Sequence, residues 1–372
     1  MKDNQSVKRK IKFILTIKKI DLFLNKFFGI SMTEKVFFTQ NLSIMIKSGL
    51  ALNESLQSLN NQTKNKYFKE IINQVKQKIE KGISFSDSLA LFPKVFPLIF
   101  INIIKAGEES GKLDNSLNQL TIQMKKNYEL ISKVKGALIY PIIVIIAMIA
   151  IIFFMMIFII PQITQIFESA GTKLPIPTQI LIKISKFSTE HWIIMLIGFV
   201  IIFILSIRLK RISKIKYFLD KIILKIFIIG SIVKKINLAK FSRTFCSLLK
   251  TDVPIVDTFR LSALVLNNLV YQQELLQKAE IVKKGESIAE ILKESPSLFP
   301  PVLIQMIDVG EKTGTLDTIL ENLAQFYEED IDQTMTNLPQ IIEPILLVFL
   351  GVGVAFIAIA VLMPMYSMTQ QI

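Results

Sequence analysis

The sequence predicts an all-α membrane protein: two homologous cytosolic helical-bundle domains and three transmembrane helices. Three observations carry this reading. The chain contains long uncharged apolar runs, its remaining halves repeat one another at a fixed offset, and no run alternates apolar and polar residues between turns as a strand would. Of the 372 residues, 51% are apolar types and 20% are charged, with a mean hydropathy of +0.48, which excludes a disordered chain and argues against an ordinary soluble enzyme. The single Cys246 cannot form an internal disulfide, and the single His191 cannot build a multi-histidine metal site. No metal, no cofactor and no catalytic residue is therefore expected, and the chain does not read as an enzyme.

The first span is expected over 137–161. Residues 142–160 are nineteen Ile, Val, Ala, Met or Phe in succession, and at about 1.5 Å per residue they cover most of a ~30 Å hydrocarbon core. The second is expected over 191–207, where the run 192–207 is interrupted only by Gly198 and Ser206 and is anchored by Trp192 at one end and Arg208, Lys210 and Arg211 at the other. The third, over 343–364, contains nineteen uncharged residues from 345 to 363. Within it Gly351 and Ala355 stand four apart on one helix face, the small-xxx-small spacing that lets two helices approach closely in lipid, so both are helix-packing candidates. No ionisable side chain falls in the three apolar runs, which leaves a transporter, kept as an alternative, no polar pathway to use.

The flanking segments divide accordingly. Residues 1–29 read as a basic amphipathic lead-in, 162–190 as an external loop, 208–234 as a basic membrane-proximal segment, and 365–372 as an external tail. Residues 1–135 hold 23 Lys+Arg against 11 Asp+Glu, residues 208–343 hold 18 against 17, and the stretch 161–191 holds 3 against 2. The positive-inside rule then places both large segments in the cytoplasm, with the N-terminus inside and the C-terminus outside. The net charge of +14 is concentrated in 1–135 and after the second span, a distribution suited to anionic lipid headgroups and not to nucleic acid.

The duplication sets the domain boundaries at 30–135 and 235–342. At an offset of 203, Phe38 falls on Phe241, Lys81-Gly82 on Lys284-Gly285, Phe96-Pro97 on Phe299-Pro300, and Gly107-Glu108 on Gly310-Glu311. The same offset carries Pro141 onto Pro344 and Pro161 onto Pro364, so the unit is one helical domain plus the span that follows it. Phe38, Leu42, Met45 and Ile46 form an apolar stripe at helical spacing, repeated by Phe241, Phe245, Leu248 and Leu249, and both stripes read as core.

The segment Ala106-Gly-Glu-Glu-Ser-Gly-Lys-Leu113 resembles a phosphate loop but lacks the leading Gly and the closing Ser or Thr. A membrane-bound NTPase or phosphotransferase using 106–113 is the alternative it raises. Both copies share instead G-E-x-[ST]-G-x-L-D, expected as a tight turn between helices with Gly107 and Gly310 as positive-φ C-caps.

Taken together, the two G-E-x-[ST]-G-x-L-D turns, Tyr140-Pro141 and Glu343-Pro344 at the span entrances, Leu174-Pro-Ile-Pro-Thr178 and Lys250-Thr-Asp-Val-Pro-Ile255 resemble the F-domain family of type II secretion, type IV pilus and competence inner-membrane platform proteins. Asp252 stands where such proteins usually have glycine, and Ala51 where proline is common. The resemblance implies a multi-pass, homo-oligomeric platform in the cytoplasmic (inner) membrane of a bacterium. It would couple a cytosolic hexameric assembly ATPase to insertion of pilin or pseudopilin into a filament, alongside other inner-membrane assembly proteins. Glu108, Glu109 and Glu311 are its partner-contact candidates, and Pro141 and Pro344 its span-entrance prolines.

Overall fold

The computed structural model describes residues 29–169, 175–209 and 212–369, and all secondary structure in these residues is helical. The lead-in over 1–28, Leu174, Lys210, Arg211 and the end of the tail lie outside the described residues. In chain order the first copy contributes α1 (Met32–Lys47), α2 (Leu52–Gln62), α3 (Lys66–Glu80), α4 (Phe85–Ala90) and α5 (Leu98–Glu109). Then come α6 (Leu113–Phe154), a π-helical turn (Met155–Ile159), α7 (Ile160–Ser169), α8 (Ile176–Leu209) and α9 (Ser213–Ile223). The second copy follows as α10 (Phe227–Leu249), α11 (Ile255–Leu264), α12 (Leu269–Val282), α13 (Ile288–Lys293), α14 (Pro301–Thr313) and α15 (Leu316–Thr369).

The helices begin where side chains can accept the free N–H groups of a first turn. Ser31 Oγ accepts from Glu34 N at 3.2 Å while the Glu34 carboxylate accepts from Ser31 N at 3.0 Å, a complete capping box for α1. Asn65 Oδ1 accepts from Tyr67 N and Phe68 N to start α3. Asn268, its counterpart in the second copy, accepts from Val270 N and Tyr271 N to start α12. The turn after α1 needs a left-handed residue, and Gly49 supplies it with φ +85°. Its counterpart Asp252 takes φ +59° without glycine's freedom, so the departure noted in the sequence leaves the turn intact.

The chain divides into two compact units, one containing residues up to Leu130 with Val233–Glu328, the other Ile131–Ile232 with Glu329 onward. The first therefore holds both helical domains. In copy 1 the rings of Phe38, Phe68, Phe96 and Phe100 meet at centroid distances from 5.1 to 6.4 Å, all buried. In copy 2 Phe241, Phe245 and Phe259 form a triangle of edge-on rings, and Tyr271 stands edge-on to Phe299. A two-pronged pair between Arg243 and Glu328, at 2.9 and 2.8 Å and largely removed from water, ties α10 to α15.

Among the described residues two helices, Leu113–Thr164 and Leu316–Met363, are long and apolar enough to cross a membrane, or three if the bent pair Ile176–His191 and Ile193–Ile202, which meet at 78°, counts as one span. The bend falls at His191, whose φ of −119° and ψ of 18° leave the helical region. The stretch 162–190, expected as a loop, is helical on both sides of residues 170–174. The reason is the small hydroxyl face: Thr178 Oγ1 donates to Ala360 O and Ser185 Oγ to Met156 O, each at 2.6 Å, with Leu181 buried against Ile160 and Ala360. This segment lies along the helices before and after it instead of looping free.

Cys246 is a probe of the helical core. It is buried, and burial, only partly offset by Lys250 and Arg243, pushes its thiol from 9.0 up to about 11. A maleimide should leave the native full-length protein unmodified at pH 7 and label it on unfolding. Because the folded state disfavours the thiolate, this group's contribution to stability is complete below pH 9 and is lost as pH rises towards 11. With thermal onset of labelling as the readout, Phe96→Ala should destabilise the domain by about 3–5 kcal/mol.

Candidate functional site

The G-E-x-[ST]-G-x-L-D turns join α5 to α6 and α14 to α15, so each sits where a helical domain hands over to the long helix that contains a span. Positive φ belongs to Gly111 (+70°) and Gly314 (+71°), correcting the expectation for Gly107 and Gly310. Those two glycines lie inside their helices, at the point where the next helix crosses. A Cβ on Gly107 would stand 2.2 Å from Ser116 Oγ and 2.6 Å from Ser116 Cβ, and one on Gly310 would stand 3.1 Å from Leu316 Cα. Gly107 serves close approach and not backbone freedom, and Gly310 sits at a tight but less severe crossing.

Glu108 reaches from the last turn of α5 to the start of α4. Its carboxylate accepts from Phe85 N at 2.6 Å, Ser86 N at 3.0 Å and Ser86 Oγ at 2.7 Å, while Ser84 Oγ accepts from Asp87 N at 3.1 Å. The N–H groups of the first three residues of α4 are thereby satisfied, two of them by a full negative charge at the positive end of the helix. Glu311 repeats this on α13, accepting from Ile288 N at 2.7 Å, Ala289 N at 3.0 Å and Ser287 Oγ at 2.7 Å. The two carboxylates are clamps within their domains. Glu109 differs: it is exposed, and its ion pair with Lys105 is a loose one at 3.9 Å.

The phosphate-loop likeness fails on backbone geometry. The N–H groups of Ser110, Gly111 and Lys112 donate to Ala106 O, Glu108 O and Gly107 O at 3.0, 3.4 and 2.8 Å, so they are not turned out to cradle an anion. Lys112 Nζ is held by Asp252 at 2.8 Å, and that hydrogen bond raises its pKa above the ordinary lysine value. This pair joins copy 1 to copy 2, together with Gln123 Nε2, which donates to Thr244 Oγ1 at 3.0 Å. Leu248, Val253 and Leu261 of copy 2 complete the apolar cluster of copy 1. Sequence reasoning did not find this contact, yet it had a signal: Lys112 and Asp252 are positions where the two copies disagree, facing Thr315 and Gly49 across the offset.

Of the remaining candidates, Pro141 lies inside α6 and Pro344 inside α15, and each removes the backbone donor that would bond four residues back. Gly351 has open space around it and Ala355 is exposed, so neither packs against another helix of this chain. Ala360, five residues further along the same helix, does.

The sequence profile described as "Type II secretion system (T2SS), protein F" matches twice, over residues 38–161 and 241–364. The chain belongs to the type II secretion system protein F family. The two matches are separated by the offset of the duplication, and they end on Pro161 and Pro364. Among relatives, the "Type IV pilus assembly protein PilC" of Myxococcus xanthus is 34% identical over 94% of this chain and 83% of its own length. The protein of the same description from Thermus thermophilus is 32% identical over 91% and 83%. The "Type II secretion system protein F" of Vibrio cholerae is 31% identical over 91% and 84%. With its apolar helices, this family member is a membrane protein.

Removing the clamp should loosen α4 or α13 without unfolding the spans. Glu108→Ala and Glu311→Ala should each cost about 1.5–3 kcal/mol, the range for hydrogen bonds to a charged group, seen as faster amide exchange at 85–90 or 288–293. Gly107→Val should be worse than Gly111→Ala, because the crossing of α5 and α6 has no room for a side chain.

Proposed function

We propose that this protein is an inner-membrane platform of a type IV pilus or type II secretion assembly machine, coupling a cytosolic assembly ATPase to insertion of pilin or pseudopilin into a filament. The double family match, covering both copies together with their following spans, carries this reading. The helices support it mechanically. Helix α6 is unbroken for 42 residues from the G-E-x-[ST]-G-x-L-D turn into the first apolar run, and α15 is unbroken for 54 residues into the third. A displacement of a helical domain would be passed along these rods, softened where prolines remove a backbone donor, at Pro141 in the first and at Pro339 and Pro344 in the second.

In this reading both helical domains and the N-terminus face the cytoplasm, and the C-terminus lies outside. Glu109 is the ATPase contact offered by the first domain, since Glu108 and Glu311 are engaged at home. The face of Gly351 and Ala355, open in the monomer, is offered to a helix of another assembly component. The lysines around α9, with Phe218, Ile222 and Phe227 exposed among them, would hold that segment against anionic lipid.

Deleting the gene should abolish surface filaments or secretion while pilin or pseudopilin accumulates in the membrane, and normal filaments in that strain would refute the assignment. In a complemented strain, Glu109→Arg should reduce filament number with protein level unchanged. Purified protein should bind no nucleotide, and Lys112→Ala should change nothing in that assay.

A further inference from the structure

The contact between the two copies is one-sided. Copy 2 presents the end of α10 and the turn that follows it, and copy 1 presents the start of α6. If the contact were two-fold, Asn41 would face Phe326 as Thr244 faces Gln123, and Gly49 would face Thr315 as Asp252 faces Lys112. Instead both of the equivalent surfaces are open. Ser247 is 3% exposed and its counterpart Ile44 is 54%; Val253 is 9% exposed and its counterpart Leu50 is 42%. On the receiving side Gln123 is half-buried, whereas its counterpart Phe326 is 54% exposed, with Val309 at 49% nearby in the same fold position as half-buried Ala106. Each chain thus has one used pair of complementary faces and one unused pair, and the centre of the unused pair carries larger apolar side chains, Ile44 for a serine, Phe326 for a glutamine and Val309 for an alanine, while at its margin Asn41 stands for Thr244 and Ser58 for Leu261.

We propose that the occupant of each open face is a second copy of this chain, docked head to tail. The α1 end and Gly49–Leu50 turn of one chain would seat on the α14–α15 face of the next, around Val309, Thr315 and Phe326, repeating between chains the contact that Thr244, Leu248, Asp252 and Val253 make within one. The argument is continuity with an interface already formed. The chain itself shows that an α1-type face fits an α6-type face, and both partners of the next such contact are present, solvent-facing and apolar. Within the chain a covalent connection brings the faces together. Between chains no such tether exists, which accounts for the larger apolar side chains at Ile44, Val309 and Phe326. A contact of this kind is heterologous, so it builds a ring if its rotation closes, and an even-handed two-fold dimer is not its product. This specifies the surface and geometry of the homo-oligomer that the family resemblance implies, and it does not depend on which filament the platform serves.

Full-length chains carrying Asn41→Cys and Phe326→Cys, with different tags, are co-expressed and treated in membranes with a short bifunctional maleimide; buried Cys246 is left in place. The control is one chain carrying Gln123→Cys and Thr244→Cys, which should cross-link internally and certifies the fold. The expected result is a mixed adduct of the two tags at up to about half the control yield, because with random mixing only half of the Asn41→Cys faces meet a Phe326→Cys face, with neither variant cross-linking to itself. Adding Gly49→Asp to the first chain and Thr315→Lys to the second recreates the Asp252–Lys112 pair and should raise the yield about twofold. Adding Ile44→Asp should lower it at least as much. Self-adducts of Asn41→Cys, an adduct only with some other protein, or no adduct where the internal control forms, would each overturn the proposal. Because the readout is an adduct and not a filament, its failure is distinct from failure of the platform assignment.

Discussion

Helix α4 is six residues long, and what holds its first turn is a carboxylate that belongs to another helix. A helix that short cannot sustain itself in water, so its place in the domain depends on Glu108, as that of α13 depends on Glu311. The clamp works in both directions. It satisfies the N–H groups at the start of the short helix, and it fixes the last turn of α5 or α14, just before the chain turns into the long helix that becomes a span. The glycine preceding each glutamate lets that long helix cross at contact distance. The pair recurs in both copies, whereas Lys112 is replaced by Thr315.

Duplication preserved the scaffold and left its chemistry free to diverge. The carbonyl of Val95 and that of its counterpart Leu298 both need a donor. In copy 1 the donor is Lys35 Nζ at 2.8 Å, and in copy 2 it is Tyr271 Oη at 2.7 Å, which stands where copy 1 has Phe68. Burial lowers the pKa of Lys35, and copy 2 avoids that cost by having Leu238 at the equivalent position. The exchange also runs the other way. Buried Lys278, paired with Glu294 at 2.7 Å and Glu274 at 3.4 Å, occupies the place of Val75 in the first core. Copy 2 ties α10 to α15 with Arg243–Glu328 and Lys250–Glu321, where copy 1 has Gln40, Lys125, Lys47 and Asn118 and instead joins α1 to α6 through Ser43 Oγ, which donates to Asp114 O at 3.0 Å.

Among the apolar helices the constraint is different, because a buried hydroxyl must find an acceptor nearby. Thr164 and Ser188 donate to the carbonyl four residues back in their own helices, whereas Thr178 and Ser185 donate across to Ala360 and Met156. Those crossings turn a stretch that looks like a polar loop into packed helix.

Composition, the uncharged runs and the offset of 203 determined the fold class and the pairing of domains, because each depends only on periodicity and on the length a helix needs to cross lipid, whereas the middle run is bent by 78° near His191. The stripes of Phe38 and Phe241 became core for the same reason. The candidate site was legible in position but not in role. The shared Gly and Glu marked the turn, yet whether a glutamate faces a partner or a neighbouring helix depends on what the chain brings within hydrogen-bond reach, and α4 is not adjacent to Glu108 in sequence. The contact of Lys112 in one copy with Asp252 in the other, and the one-sidedness of the interface it belongs to, were decided only by tertiary structure. Two copies of one fold can pack asymmetrically, since packing uses one face of each copy and leaves the equivalent faces bare.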